Sequence, residues 1–134
     1  MKRYVSDTQC ILWHLADDRR LPKPARAAFA AAETGRAQIL VPTIALVEAI
    51  FLAQRQRVPA SILDQLLGLS DTPDASIYVV PLDVAVVRVL TDFGPSAVPE
   101  MADRIIAATA RAFDLPLLTT DPAIRESGLV KVIG

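Results

Sequence analysis

The sequence predicts an α/β fold: a mostly parallel sheet of four to five strands with helices on both faces. Two observations lead there. Short apolar runs of strand length alternate along the chain with longer segments of helical period, and strands joined through helices pair in parallel by right-handed crossovers. Length and composition agree: 134 residues, 52% of them hydrophobic, with a formal net charge of −1. Such a chain suits one domain, residues 1–134, and can bury a core without staples. It is neither disordered nor basic throughout, so any basic surface is local, as around Arg19, Arg20, Lys23 and Arg26, where Asp17 and Asp18 offset part of the charge.

Residues 3–6 read as the first strand, with Asp7 at its end. Asp7 or Thr8 caps the following helix, whose Ile11, Leu12, Leu15 and Ala16 form an apolar stripe. Cys10 reads as core filler, and Trp13 and His14 lie off the stripe, His14 in a structural role. Pro22 and Pro24 open an Ala-rich second helix, and Gly35 follows it as the C′ residue. Residues 38–41 form the second strand. Thr43 stands at the N-cap of the next helix, I-A-L-V-E-A-I-F-L-A. At about 100° per residue, Ile44, Val47, Phe51 and Leu52 share one arc and Glu48 falls inside it. Arg55-Gln56-Arg57 ends this helix, Pro59 starts another with Ile62, Leu63, Leu66 and Leu67, and residues 70–74 form a loop.

Residues 77–80 form the third strand, and Asp83 caps a helix carrying Val84, Val87 and Leu90. Gly94-Pro95-Ser96 then breaks the chain. The next helix opens at Pro99, because the first helical N–H has no partner to lose. Ala102, Ile105, Ile106, Thr109, Ala112 and Phe113 recur on its core face. After a turn at 114–116 a buried strand, residues 117–118, runs into Thr119-Thr120-Asp121, and residues 129–133 form a short fifth strand.

Several function classes are excluded. No stretch approaches the ~20 apolar residues of a membrane span, and the opening M-K-R-Y-V-S-D-T-Q has no signal-peptide core, so a cytoplasmic protein without membrane contact is expected. One cysteine and one histidine allow neither an internal disulfide nor the usual zinc ligand set. A metal here must be held mainly by oxygen.

Four acids stand out by position: Asp7 after the first strand, Glu48 within a helix's apolar arc, Asp103 in a helix's first turn, and Asp121 after the fourth strand. In a parallel sheet, strand ends and helix starts share one rim, where such folds hold their sites. Two charges about 4 Å apart repel by roughly 4 kcal/mol at an effective dielectric near 20. Acids gathered there must therefore take up protons or a cation. All-oxygen donors favour Mg2+, with Mn2+ as substitute, and carboxylate-bound magnesium commonly acts on phosphate. Taken singly, Asp7 and Asp103 are also the acids that helix N-termini attract. A Glu48–arginine bridge is the structural alternative for that residue.

The order S-D-T, V-P-T-I-A-L-V-E, A-D-R-I-I-A-A-T-A and L-L-T-T-D resembles the PIN-domain ribonucleases, and within them most closely the VapC-type toxins of type II toxin–antitoxin systems. The likeness spans nearly the whole chain, and its last two motifs are the specific part. It implies a PIN-like three-layer sandwich and an endoribonuclease whose acidic metal pocket is Asp7, Glu48, Asp103 and Asp121. Thr119 matches the family's hydroxyl position, Glu100 adds an outer acid, and Gln9 stands where Asn, His or Ser is common. A VapB-like antitoxin and a homodimer are implied as partners, with RNA as substrate. Arg104, Arg19, Arg20 and Arg26 are candidate contacts to the RNA backbone or else solvated charges. Two rivals differ in class. One is a non-catalytic PIN-like binding module with a structural or regulatory cation. The other is a phosphorylation receiver, which the Val80-Pro81 end of the third strand disfavours.

Overall fold

In a computed structural model the described residues are 1–73 and 75–134. The element order is β1 (Lys2–Ser6), α1 (Thr8–Leu15), α2 (Lys23–Glu33), β2 (Ala37–Pro42), α3 (Thr43–Gln54), α4 (Ala60–Leu67), β3 (Ile77–Val80), α5 (Val84–Val89), α6 (Met101–Phe113), β4 (Leu117–Leu118), α7 (Pro122–Ser127) and β5 (Val132–Ile133). The five strands form one sheet in the order β3-β2-β1-β4-β5, each pairing parallel to its neighbour.

Alternation along the strands sends side chains to two cores, as a sheet covered on both faces requires. Ile39, Val41 and Leu118 pack with Ile11, Phe29, Ala45, Ala49 and Leu66 from α1 to α4. Val5, Leu40 and Leu117 pack with Val86, Ile106 and Ile124 from α5, α6 and α7. The result is a three-layer sandwich. Among the described residues no helix is long and apolar enough to cross a membrane.

Several sequence expectations need correction. Helix α3 is apolar on nearly every side, so its pattern cannot select a face. Its fully buried residues are Ala45 and Ala49, small enough for close approach, while Val47 and Phe51 are 39% and 57% exposed. Thr43 is its first helical residue and not the cap; the Thr43 hydroxyl donates to Val80 O at 2.7 Å, tying the helix to β3. In α5 the Asp83 cap is present, accepting from Val86 N at 3.1 Å. Its buried residue, however, is Val86, and Val84 and Val87 face outward. Leu67 and Ala16 are likewise exposed.

Helix α6 begins at Met101, two residues later than expected, because Val98 is anchored in the core and Glu100 is still extended at φ −79°, ψ 130°. The alanines 107, 108 and 110 are buried there, whereas Ala112 and Phe113 lie exposed where the helix leaves the core. β5 is only two residues long. Residues 68–71 of the region after α4 form a 3₁₀ turn, and Asp74, the end of the expected loop, lies outside the described residues. Helix α7 was not anticipated, although Pro122 at its start and Gly128 at φ +68° beyond its end are its ordinary signals.

Candidate functional site

The strand order reverses direction between β1 and β4. A crevice opens beyond the carboxyl ends of strands at such a switch point. Asp7 directly follows β1, and Asp121 follows β4 by three residues. Each is also an N-cap: Asp7 Oδ1 accepts from Cys10 N at 2.8 Å at the head of α1, and Asp121 Oδ1 accepts from Ala123 N at 2.8 Å at the head of α7. A cap bond fixes one carboxylate oxygen and leaves the other available. Thus backbone geometry orients both acids before any ligand is considered.

Thr119, fully buried beside them, links the two. Its hydroxyl accepts from Asp121 N at 3.1 Å and also approaches the Asp7 carboxylate, which it helps keep ionised. Burial works the other way on Asp7, which is 7% exposed: desolvation raises its pKa above the ordinary carboxylate value, the hydrogen bonds from Thr119 and Cys10 counter this, and the charge of Glu48 adds to the rise.

Glu48 arrives from α3 and is held by the hydroxyl of Thr8, which donates to Glu48 Oε1. Thr8 is buried at the first position of α1, so this bond fastens the third acid to the residue after the first. No arginine bridges Glu48 among the described residues, which removes the structural alternative. Sequence reasoning quoted Thr8 as a cap and missed this role; its place next to Asp7 in S-D-T was the available signal.

Asp103, in the first turn of α6, is half-buried and its pKa is raised to about 7. Burial is the largest cause, followed by the hydrogen bond with Asp121, then the charges of Asp121, Glu48 and Asp7. Four acids from four segments thus share one electrostatic field. Glu100 is exposed and not among the groups acting on Asp7 or Asp103. The acids do not close on a single point: among the described residues no group of three or more His, Cys, Asp or Glu side chains is set closely enough to hold a metal ion. Their chemistry nonetheless fits a hard divalent cation, since every donor is a carboxylate or hydroxyl oxygen and the repulsion on Asp103 is of the kind such a cation relieves.

His14 is accounted for elsewhere. It stacks on Phe29 at 4.2 Å and meets Glu33 Oε1 at 3.0 Å. Three of the arginines named from sequence are engaged too. Arg20 lies 5.5 Å over the Trp13 ring and pairs with Asp18, holding that carboxyl down to about 2. Arg26 donates to Asp18 O at 3.0 Å, and Arg104 donates to the carbonyls of Phe93, Gly94 and Pro95.

A groove of about 560 Å³ runs from Gln9 along α1 to the start of α4, and none of the four acids lines it. Leu12, Trp13, Leu52, Val58 and Ile62 give it apolar walls, and Arg57 and the Arg20–Asp18 pair give it charged edges.

The family model for the PIN domain matches residues 4–128. No curated protein is similar enough in sequence to be matched. Among solved structures, the chain is similar to one in a VapBC2 complex from Rickettsia felis bound to a DNA fragment from its promoter (TM-score 0.70, 14% identity, 98% of this chain and 97% of that chain covered). It is also similar to one in FitAcB from Neisseria gonorrhoeae (0.66, 18%, 98% and 96%), and to one in a toxin–antitoxin complex from Klebsiella pneumoniae (0.63, 20%, 98% and 96%). At these identities the likeness is one of fold.

Proposed function

The chain belongs to the PIN-domain family, and from that premise we propose that it is a divalent-metal-dependent endoribonuclease, the toxin of a type II toxin–antitoxin pair acting in the cytoplasm. The observation that carries the reading is the gathering of Asp7, Glu48, Asp103 and Asp121 at the sheet's switch point, where burial first, and then the hydrogen bond and charges of the other acids, raise Asp103 to about 7.

In this reading Asp7, Asp103 and Asp121 hold the cation, Mg2+ with Mn2+ as substitute, and Glu48 ligates it directly or through water. A bound ion would supply an activated water and stabilise the charge that develops on the phosphodiester. The chain's own residues prepare the site for it. Caps at α1 and α7 fix Asp7 and Asp121, Thr119 spaces them, and Thr8 holds Glu48 across from Asp7. Asp103, raised to about 7, is about half-protonated at pH 7 in the metal-free protein and gives up that proton when the cation binds. Incubating the protein with a pool of structured RNAs is expected to give cleavage in Mg2+ and none with a chelator. Cleavage that survives chelation would reject the proposal, and RNA left intact in Mg2+ would favour the non-catalytic binding module.

The partner reading rests on the groove beside Gln9. Its apolar walls, which begin at Gln9 two residues after Asp7, suit an apolar segment of an antitoxin. Ile62→Glu places a charge in that wall and is expected to weaken binding of a cognate VapB-like antitoxin at least tenfold, with RNA cleavage unchanged. Isothermal titration and the cleavage assay check the two halves. The outward-facing Phe51 of α3 and Val84 and Val87 of α5 support the homodimer as a further part of the proposal.

A further inference from the structure

Arg104 stands next to Asp103 in sequence, yet the groups acting on the Asp103 carboxyl are acids: Asp121, Glu48 and Asp7. The guanidinium reaches the other way. It donates to three successive backbone carbonyls, Phe93 O at 3.3 Å, Gly94 O at 2.9 Å and Pro95 O at 3.1 Å. Those carbonyls belong to the segment between α5 and α6, which the buried Phe93 and Val98 pin to the core at either end. Between these anchors residues 94–96 are exposed, and among the described residues the one backbone hydrogen bond they make is the turn bond in which Gly94 O accepts from Ala97 N at 3.2 Å.

The start of α6 lacks the device that fixes α1 and α7. Its N-cap residue, Glu100, makes no side-chain cap bond, whereas Asp7 and Asp121 both do. The turn that carries Asp103 is therefore held from outside. A planar guanidinium presents five donors in a fixed fork and can bridge several carbonyls at once. Lysine carries the same charge on a compact ammonium and cannot span three carbonyls in that geometry.

We propose that Arg104 is a positioning residue: by clamping the carbonyls of Phe93, Gly94 and Pro95 it braces the first turn of α6 and so sets where Asp103 stands at the acidic rim. It does not contact RNA. The role in catalysis rests on the nuclease reading above; the brace itself does not. Residues that orient a ligand-bearing element without touching the reaction typically cost about 10–100-fold in affinity or rate when lost.

The test compares wild type, Arg104→Met and Arg104→Lys by three readouts: Mn2+ titration, single-turnover cleavage of a labelled pool of structured RNAs across protein concentration, and amide hydrogen exchange. Both variants are expected to lower the saturating cleavage rate about 10–100-fold with the half-saturating concentration within about twofold, and to weaken Mn2+ binding about tenfold. Exchange is expected to accelerate in residues 93–104 and to stay unchanged in β1 and β2. The salt dependence of RNA binding is expected to be unaltered, because a lost phosphate contact would lower its slope by about 0.7–0.9. Full recovery with Arg104→Lys, together with a reduced salt slope in Arg104→Met, would make Arg104 an RNA contact and overturn the brace. Unchanged exchange in Arg104→Met would overturn it as well. If the wild type neither binds Mn2+ nor cleaves RNA while exchange in 93–104 still depends on Arg104, the nuclease reading fails and the brace stands as a structural one.

Discussion

Asp103→Asn is expected to abolish cleavage, lowering its rate about 10³-fold, while making the protein more stable at pH 8. The two effects share one cause. Burial and the neighbouring acids raise the folded-state pKa of Asp103 to about 7, so its charge is unfavourable in the fold. For an acid whose folded pKa lies above its unfolded value, the folded state binds more protons between the two values, and stability falls as pH rises through that window. Here the window runs from about 4 to about 7. Discounted for solvent at a half-buried site, the loss is about 1–2 kcal/mol. Asparagine carries no charge and escapes it. In chelator, thermal melts of wild type and variant should therefore coincide near pH 4, diverge up to pH 7, and differ by a few degrees above it. The rate loss follows from removing one anionic ligand, whose transition-state contribution of several kcal/mol matches a 10³-fold effect. Asp7→Asn should show the same loss with the fold intact, since asparagine caps a helix about as well as aspartate. An active Asp103→Asn enzyme, or one less stable at pH 8, would contradict this account of the site.

A divalent cation is expected to raise the melting temperature strongly, and only at pH values where Asp103 is ionised. A ligand that binds the folded state alone stabilises it by about 2.7 kcal/mol at a concentration one hundred times its dissociation constant. For a chain of this length that is roughly 5–10 °C. Below about pH 6 the proton on Asp103 competes with the cation, and the increment should shrink, because the same carboxylate cannot serve both. Differential scanning calorimetry in Mg2+, in Mn2+ and in chelator at pH 5.5 and pH 8 tests this without any RNA. Equal melting temperatures in Mg2+ and chelator at pH 8 would count against a metal centre.

Much of this was legible in the sequence, for a physical reason. Short apolar runs bounded by Asp, Pro or Gly left little freedom for β1 to β4, whose bounds fall within a residue of expectation. Once the sheet is parallel, chain geometry alone sends the residues after β1 and β4 to one rim. That is why Asp7 and Asp121 could be placed without coordinates.

What failed was the choice of face on apolar helices. In α3 nearly every position is hydrophobic, and the two that pack closest are alanines. Glu48 is held at the site by the Thr8 hydroxyl, a partner forty residues away that no periodicity reveals. Arg104 looked like a surface charge because its partners are backbone carbonyls, which leave no trace in side-chain pattern. Helix α7 was overlooked because only six residues lie between its capping aspartate and the glycine that ends it, too few to display a stripe.

In the proposed site, separate segments deliver their carboxylates to one cation. The most direct measurement is an anomalous difference map from crystals soaked in Mn2+ at pH 8. A peak touched by carboxylate oxygens of at least two of Asp7, Asp103 and Asp121, at the roughly 2.0–2.2 Å expected of a hard divalent ion, is the predicted result. Full soaking with no peak at that rim, or a peak held by other residues alone, would contradict it.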